Sequence, residues 1–224
     1  MNLAIGQLER VKQSQDTGKI TNPRHRVDGV ITLLRRIRQH DSLAPHFDAI
    51  NNQSLVLLVS YFAAALRDFY RIAVDLILET APPQHLLAED LKVTVADLLR
   101  TQDDPRSQIA DLLIDKKDLS FQDMQSTTRA FEELTGFKVD KDPVVHDIIA
   151  AQASRHAIVH TGEMASLRTG RQLASAYPRA IKPHLIAGER IVFSVEEILA
   201  VANAMETYLE RLIDGVSGAL IGAA

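Results

Sequence analysis

Apolar and polar positions repeat with the period of an α-helix along most of the chain. Capping residues and prolines divide this pattern into several helices. We expect helices to start at Thr21-Asn22-Pro23, Asn51-Asn52-Gln53-Ser54, Ser120-Phe121-Gln122-Asp123, Asp142-Pro143 and Ser194-Val195-Glu196-Glu197. We expect these helices to end near residue 40, before Pro82-Pro83, at Gly136, at Thr161-Gly162 and near residue 214.

Residues 184–193, "HLIAGERIVF", are the one stretch with an extended pattern, which suggests a short hairpin around Ala187-Gly188. Glycines and prolines interrupt residues 163–190, so this segment reads as a long loop beside the end of the 143–160 helix. The sequence therefore predicts an all-α fold. We expect a helical bundle of about six to eight helices with a long loop or short hairpin before the last helix. No composition shift divides residues 1–224, which we expect to form a single domain.

Composition narrows the class of protein. Of the 224 residues, 46% are hydrophobic and 24% charged, as in soluble globular domains. The chain has no cysteine, which excludes disulfides and thiolate metal sites, and a net charge of −4 argues against coating nucleic acid through bulk charge. The longest apolar run, "LVLLVSYFAAAL", is too short to span a bilayer before Arg67 and Asp68 interrupt it. We therefore expect a cytoplasmic protein without a membrane partner.

The 143–160 helix carries a polar continuation of an apolar stripe. At about 100° per residue, its early apolar residues share a face with later polar ones, and His160 lies roughly 40° beyond His156. The early members are Val144, Val145, Ile148 and Ile149, and the later ones are Gln152, Arg155, His156 and Val159. Burying polar groups without partners costs about 1–3 kcal/mol, so something must compensate them.

Three kinds of compensation are open. The first is an internal network, in which Arg155 pairs with a carboxylate such as Asp68 and the histidines bond to carbonyls. The second is a metal ion shared by His156 and His160, although Ala157 stands where a zinc protease would need glutamate. The third is an anionic substrate, because a guanidinium can fork onto phosphate and an imidazole can move protons near neutral pH.

An Arg-x4-His pair occurs three times, and its context distinguishes the copies. The pairs are Arg35/His40, Arg155/His160 and Arg179/His184. The first lies on a basic surface typical of a solvated helix end, and the third contains Pro183 in a predicted loop. Only the second pair lies along a helix face whose apolar pattern predicts burial against the rest of the protein. Arg155/His160 is therefore the candidate for a catalytic or binding site.

The stretch "SRHAIVHTGE" resembles the signature of the HEPN superfamily, an arginine followed by a polar residue, a short spacer and a histidine near a helix end. Within that superfamily the chain is similar to the RiboL-PSP-HEPN group in the order and character of three segments. These are the long early helix, the motif followed by Thr-Gly, and the later "GERIVFSVEEILAVANAMETYLERL". The similarity covers about residues 50–214. Two departures are His156 in place of the commoner asparagine and the lack of a tyrosine after His160.

This resemblance implies a metal-independent endoribonuclease without a cofactor, active as a homodimer and belonging to the toxin or phage-defence effectors. Arg155 and His160 are then the catalytic residues, and His156 has a supporting role. RNA cleavage needs both a base and an acid, which two copies of the motif across a two-fold axis can supply. The alternative is a catalytically inactive dimerisation or adaptor module. An antitoxin or sensor partner and the role of residues 163–190 stay open.

Overall fold

The computed structural model describes residues 31–32, 34–36, 44–80, 82, 84–94 and 108–222. The described residues form seven bounded helices and no strand, which confirms the all-α fold and the expected number of helices. The helix predicted from Thr21 to about residue 40 lies mostly outside this part of the chain. The helices are α1 (Ala44–Thr80), α2 (Gln84–Leu87), α3 (Ile109–Lys116), α4 (Met124–Thr135), α5 (Pro143–His160), α6 (Leu167–Ala174) and α7 (Val195–Gly222).

The chain divides into two compact units, residues 1–50 and 51–224. In the first unit, residues 31–32, 34–36 and 44–50 are helical. The assignment of residues 1–224 to a single domain stays a prediction.

Aromatic rings and a central helix build the core of the second unit. Tyr70 of α1 packs against Phe121 and against Phe131 of α4, with ring centroids 5.5 and 5.6 Å away. Phe62 of α1 meets Tyr208 of α7 edge to face at 6.0 Å. Helix α5 packs against α4, α6 and α7, so it lies at the centre of this helical arrangement.

Both ends of α5 and the start of α7 agree with the sequence prediction. The Asp142 carboxylate accepts a hydrogen bond from the Val145 amide, Pro143 occupies the first turn, and Thr161 caps the other end. At the start of α7, the Ser194 amide donates to the Glu197 carboxylate and the Glu197 amide donates to the Ser194 hydroxyl. However, α7 continues to Gly222 rather than ending near residue 214.

Two predicted helix starts were wrong. Helix α1 begins at Ala44 rather than at residues 51–54, and the Asn52 side chain makes distant bonds instead of capping a helix end. Its amide donates to the Ile191 carbonyl at 2.8 Å, and its oxygen accepts from the Phe193 amide at 3.1 Å. Helix α4 is capped by Asp123 rather than Ser120, since the Asp123 carboxylate accepts from the Ser126 amide.

The 163–190 segment contains a helix within the predicted loop. Helix α6 starts after Ser166, whose hydroxyl accepts from the Thr169 amide in a capping box. The segment that was expected to be a hairpin does turn at residues 187–188, where the Glu189 amide donates to the Ile186 carbonyl at 3.3 Å. Other backbone hydrogen bonds of residues 188–191 run to residues 163–165. Within residues 108–222, the only bridge in this region joins Met164 to Arg190. This pairing holds the chain beside the end of α5.

Helix α1 also bears on the membrane question. Residues 45–80 are the one described helix that is long and apolar enough to cross a membrane by length and composition. Core helices of soluble proteins pass the same test, and α1 buries Leu55, Phe62, Leu66 and Tyr70 at most 4% exposed. The cytoplasmic location stays a prediction.

Candidate functional site

Helix α5 presents small residues to its neighbours within the bundle. Its core-facing side includes Ala150, Ala151, Ala153 and Ala157, each at most 3% exposed. Alanine side chains end at the β-carbon, so they let neighbouring backbones pack close to α5. Ser154 is likewise 0% exposed, whereas Arg155 and His156 are only partly buried.

Three of the four later residues of the predicted stripe line one groove, together with the earlier Val145 and Ile149. Gln152, Arg155 and His156 lie on its wall, together with residues of α1, α4 and α6, and its volume is about 1250 Å³. His160 is exposed and is not among the residues that line this groove, and Val159 is 47% exposed. The polar part of the stripe therefore faces an open groove rather than a packed helix.

Arg155 has no carboxylate partner among the described residues. Its Nε is buried and lacks a hydrogen-bond partner. The Asp68 carboxylate, suggested above as its partner, instead accepts from Arg71 at 2.6 Å. The internal Arg155–Asp68 pair was thus a wrong expectation, and the guanidinium remains available to an anion.

His156 and His160 lie one turn apart with their rings in contact. Their ring centroids are 4.7 Å apart, and the planes are tilted by 47°. Partial burial lowers the pKa of His156, and the positive charges of His160, Arg168 and Arg155 lower it further. His156 is therefore biased toward the neutral form, in which one ring nitrogen can accept a proton.

The metal alternative lacks ligands in the part of the chain that the structure describes. No group of three or more histidine, aspartate or glutamate residues there could hold a metal ion. Within one chain, His156 and His160 would give an ion two protein ligands, whereas protein zinc sites usually have three or four.

Gln152 has a structural duty on the same wall of the groove. Its Oε1 accepts a hydrogen bond from the Met124 amide at 3.1 Å, which satisfies a free donor in the first turn of α4. Its Nε2 is buried and has no partner. The fold therefore uses the side-chain oxygen of Gln152 and leaves its side-chain nitrogen without a partner.

Sequence reasoning missed Arg168 and Arg129. Arg168 lies in the first turn of α6, lines the groove and contributes to the electrostatic environment of His156. Arg129 lies on α4 and lines the same groove. The signal that could have located Arg168 is Ser166-Leu-Arg-Thr169, because a serine followed three residues later by a hydrogen-bonding side chain marks a helix start.

The other two Arg-x4-His pairs do not form comparable sites. The Arg179 guanidinium donates to the backbone carbonyls of Leu173, Ala176, Lys182 and Pro183, so it holds the loop together. Arg35 is exposed, and His40 lies outside the described residues. Of the three pairs, only Arg155/His160 is described on one helix.

The site thus combines an unpaired guanidinium, two touching imidazoles and a groove. This set can bind a phosphate and move protons beside it. Comparison of the chain with protein-family models, curated proteins and solved structures found no match.

Proposed function

We propose that the protein is a metal-independent endoribonuclease that acts as a homodimer. The observation that carries this proposal is the Arg155 guanidinium, which lacks a carboxylate partner among the described residues and lies on the same helix as His160, five residues before it. A cation without an internal partner on the wall of a groove is best explained by an external anion. The phosphodiester of RNA supplies that anion and has a 2′-hydroxyl that a histidine can activate.

The reaction divides its proton transfers between two copies of the motif. One His160 accepts the proton of the 2′-hydroxyl as the 2′-oxygen attacks phosphorus. The bond to the 5′-oxygen breaks, and the partner's His160 donates a proton to that leaving oxygen. Arg155 stabilises the charge on the phosphorane, and the products are a 2′,3′-cyclic phosphate and a free 5′-hydroxyl.

The position of His160 supports its role as a proton carrier. It occupies the last turn of α5 and is exposed, so a substrate can reach its ring nitrogens. His156 touches it and is biased toward the neutral form by burial and the surrounding cations, which lower its pKa. We assign His156 a supporting role in orienting the phosphate or sharing the proton.

The test is incubation of the purified protein with total RNA and transfer RNA in EDTA. We expect cleavage that leaves 2′,3′-cyclic phosphate ends. His160→Ala should lower the rate by about 10²-fold or more, as is typical for a general acid or base. Arg155→Lys should also be severely impaired, because the ammonium keeps the charge but loses the planar fork.

The matched controls are Arg35→Lys and His40→Ala, which alter a pair of the same spacing outside this helix. Both should cleave RNA at nearly the wild-type rate. Cleavage that disappears in EDTA and returns with zinc would support the metal alternative. Unfolding of His160→Ala, or inactive controls beside active site variants, would refute the assignment.

An inactive interaction module is the second candidate, and one surface feature favours it. Within residues 51–80 of α1, four large apolar residues are between 44% and 73% exposed. They are Leu57, Tyr61, Ile72 and Leu76. Exposed apolar side chains at helical spacing suit protein contacts, and absence of cleavage in the RNA assay would favour this candidate.

A further inference from the structure

The groove beside the motif carries an excess of positive charge, although the chain as a whole is acidic. Five arginine and lysine side chains line it against three carboxylates, whereas the net charge of the chain is −4. Of the lining acids, Glu132 pairs with Lys138, and the Asp123 carboxylate caps α4. The groove is thus a local site for anions on a protein that otherwise repels them.

Three of its arginines come from three different helices and lack carboxylate partners among the described residues. Arg129 projects from α4, Arg155 from α5 and Arg168 from α6, and all three line the groove. Other arginines of the chain are paired, such as Arg71 with Asp111 and with Asp68. Three separate unpaired guanidiniums match a ligand with several phosphates in a row.

Buried amide atoms without partners lie on the same groove. Gln152 is 9% exposed, and its Nε2 donor has no hydrogen-bond partner. Gln172 of α6 also lines the groove, and its buried Oε1 acceptor is likewise unpartnered. Because buried polar groups nearly always have partners, a donor and an acceptor left open here fit a ligand that offers both.

We propose that this groove binds a single-stranded RNA segment next to the scissile phosphate. Arg129 and Arg168 contact its backbone phosphates, and the amides of Gln152 and Gln172 hydrogen-bond the edge of an unstacked base. This inference rests on the proposed ribonuclease function and extends it from the cleavage site to the substrate. The groove, at about 1250 Å³, exceeds the volume of a usual small-molecule pocket.

The single-stranded form follows from where the amides lie. Base edges in an RNA duplex are paired, and side chains cannot read the deep major groove. A base that enters the groove must therefore be unpaired and turned out of its stack. Each nucleobase presents donors and acceptors on its edge, which matches Gln152 Nε2 and Gln172 Oε1.

The experiment measures binding separately from cleavage. A fluorescent single-stranded hexanucleotide with 2′-O-methyl groups cannot be cleaved, and anisotropy gives its affinity for the whole protein at several salt concentrations. Arg168→Gln and Arg129→Gln should each weaken binding by about tenfold, as expected for loss of a charged hydrogen bond. Each should also reduce the slope of log K against log salt by about 0.7, the value for one phosphate contact on a single strand.

Arg171→Gln is the matched control, because Arg171 is exposed on the same helix as Arg168 but does not line the groove. It should keep wild-type affinity and slope. Gln172→Met should reduce the difference in affinity among hexanucleotides of adenine, cytosine and uracil. Gln152 is a poorer target because its oxygen also caps α4.

The outcomes separate this inference from the proposed function. Wild-type cleavage of RNA with unchanged hexanucleotide affinity in Arg129→Gln and Arg168→Gln would refute the groove and leave the enzyme. Tight binding of the hexanucleotide by a protein that cleaves no RNA would refute the enzyme and leave the groove. If millimolar inorganic phosphate displaced the hexanucleotide completely, the groove would be a simple anion site, and the inference would be overturned.

Discussion

Replacing Arg155 with methionine should abolish RNA cleavage without destabilising the protein. The Arg155 Nε is buried and unpartnered, and burial of such a group costs about 1–3 kcal/mol. Methionine keeps an apolar stem of similar length and removes the unsatisfied donor, so little packing is lost. We expect the free energy of unfolding to stay the same or to rise by about 1 kcal/mol.

Arg179→Met is the contrasting change in the same chain. Its guanidinium donates to four backbone carbonyls, at distances from 2.7 to 3.3 Å. Hydrogen bonds from a charged donor contribute about 1.5–3 kcal/mol each and do not add fully, so the expected loss is about 3 kcal/mol or more. Of these two substitutions of the same chemistry, we therefore expect only Arg179→Met to destabilise the protein.

Urea denaturation at fixed protein concentration measures the free energy of unfolding of both variants. Circular dichroism follows the transition, because the chain has no tryptophan for fluorescence. The reasoning would be refuted if Arg155→Met lowered the free energy of unfolding by 2 kcal/mol or more, about the contribution of a charged group whose hydrogen bonds are satisfied in the folded protein. Such a loss would mean that the folded chain itself uses this guanidinium. Retained cleavage by Arg155→Met would refute its catalytic role instead.

Further predictions concern pH, packing and assembly. The pKa of His156 is lowered in the folded protein, so near pH 6.5 the unfolded chain binds more protons than the folded chain does. The free energy of unfolding should therefore fall as the pH drops through this range. Arg168→Gln removes one of the positive charges that lower this pKa, so it should raise the pKa of His156 in an NMR titration. A β-carbon at Gly215 would lie 2.0 Å from the Phe137 ring, whereas one at Gly218 meets nothing within 4 Å. Gly218→Ala should therefore raise the melting temperature, because alanine is about 1 kcal/mol more favourable than glycine inside a helix. Gly215→Ala should lower the melting temperature, because the added methyl group overpacks the contact with Phe137. Light scattering at micromolar concentration should show a dimer, and a stable monomer would contradict the composite site.

The sequence predicted the bounds of α5 well because its ends depend on local chemistry. Asp142, Pro143 and Thr161 act on backbone groups within one turn, and such effects are readable from neighbouring residues. The start of α1 failed for the opposite reason, since Asn52 bonds to residues about 140 positions away. A polar residue with capping chemistry does not reveal whether its partner is local or distant.

The candidate site was predictable only along its own helix. The helical period placed Gln152, Arg155 and His156 on one face, and these three residues line one groove. Arg129 and Arg168 join them through the packing of α4 and α6, which no spacing in the sequence encodes. The fate of Asp68 was equally hidden, because Arg71 on the same helix pairs with it.

The alanine face of α5 limits how this protein can diversify. Ala150, Ala151, Ala153 and Ala157 have no side-chain rotamers, so the helix contacts they make cannot absorb a shift by repacking. Larger residues at these positions would separate α5 from its neighbours and spread apart the helices that carry the arginines. Descendants of this chain that change their ligand are therefore expected to do so by replacing groove side chains, while the alanine positions stay small.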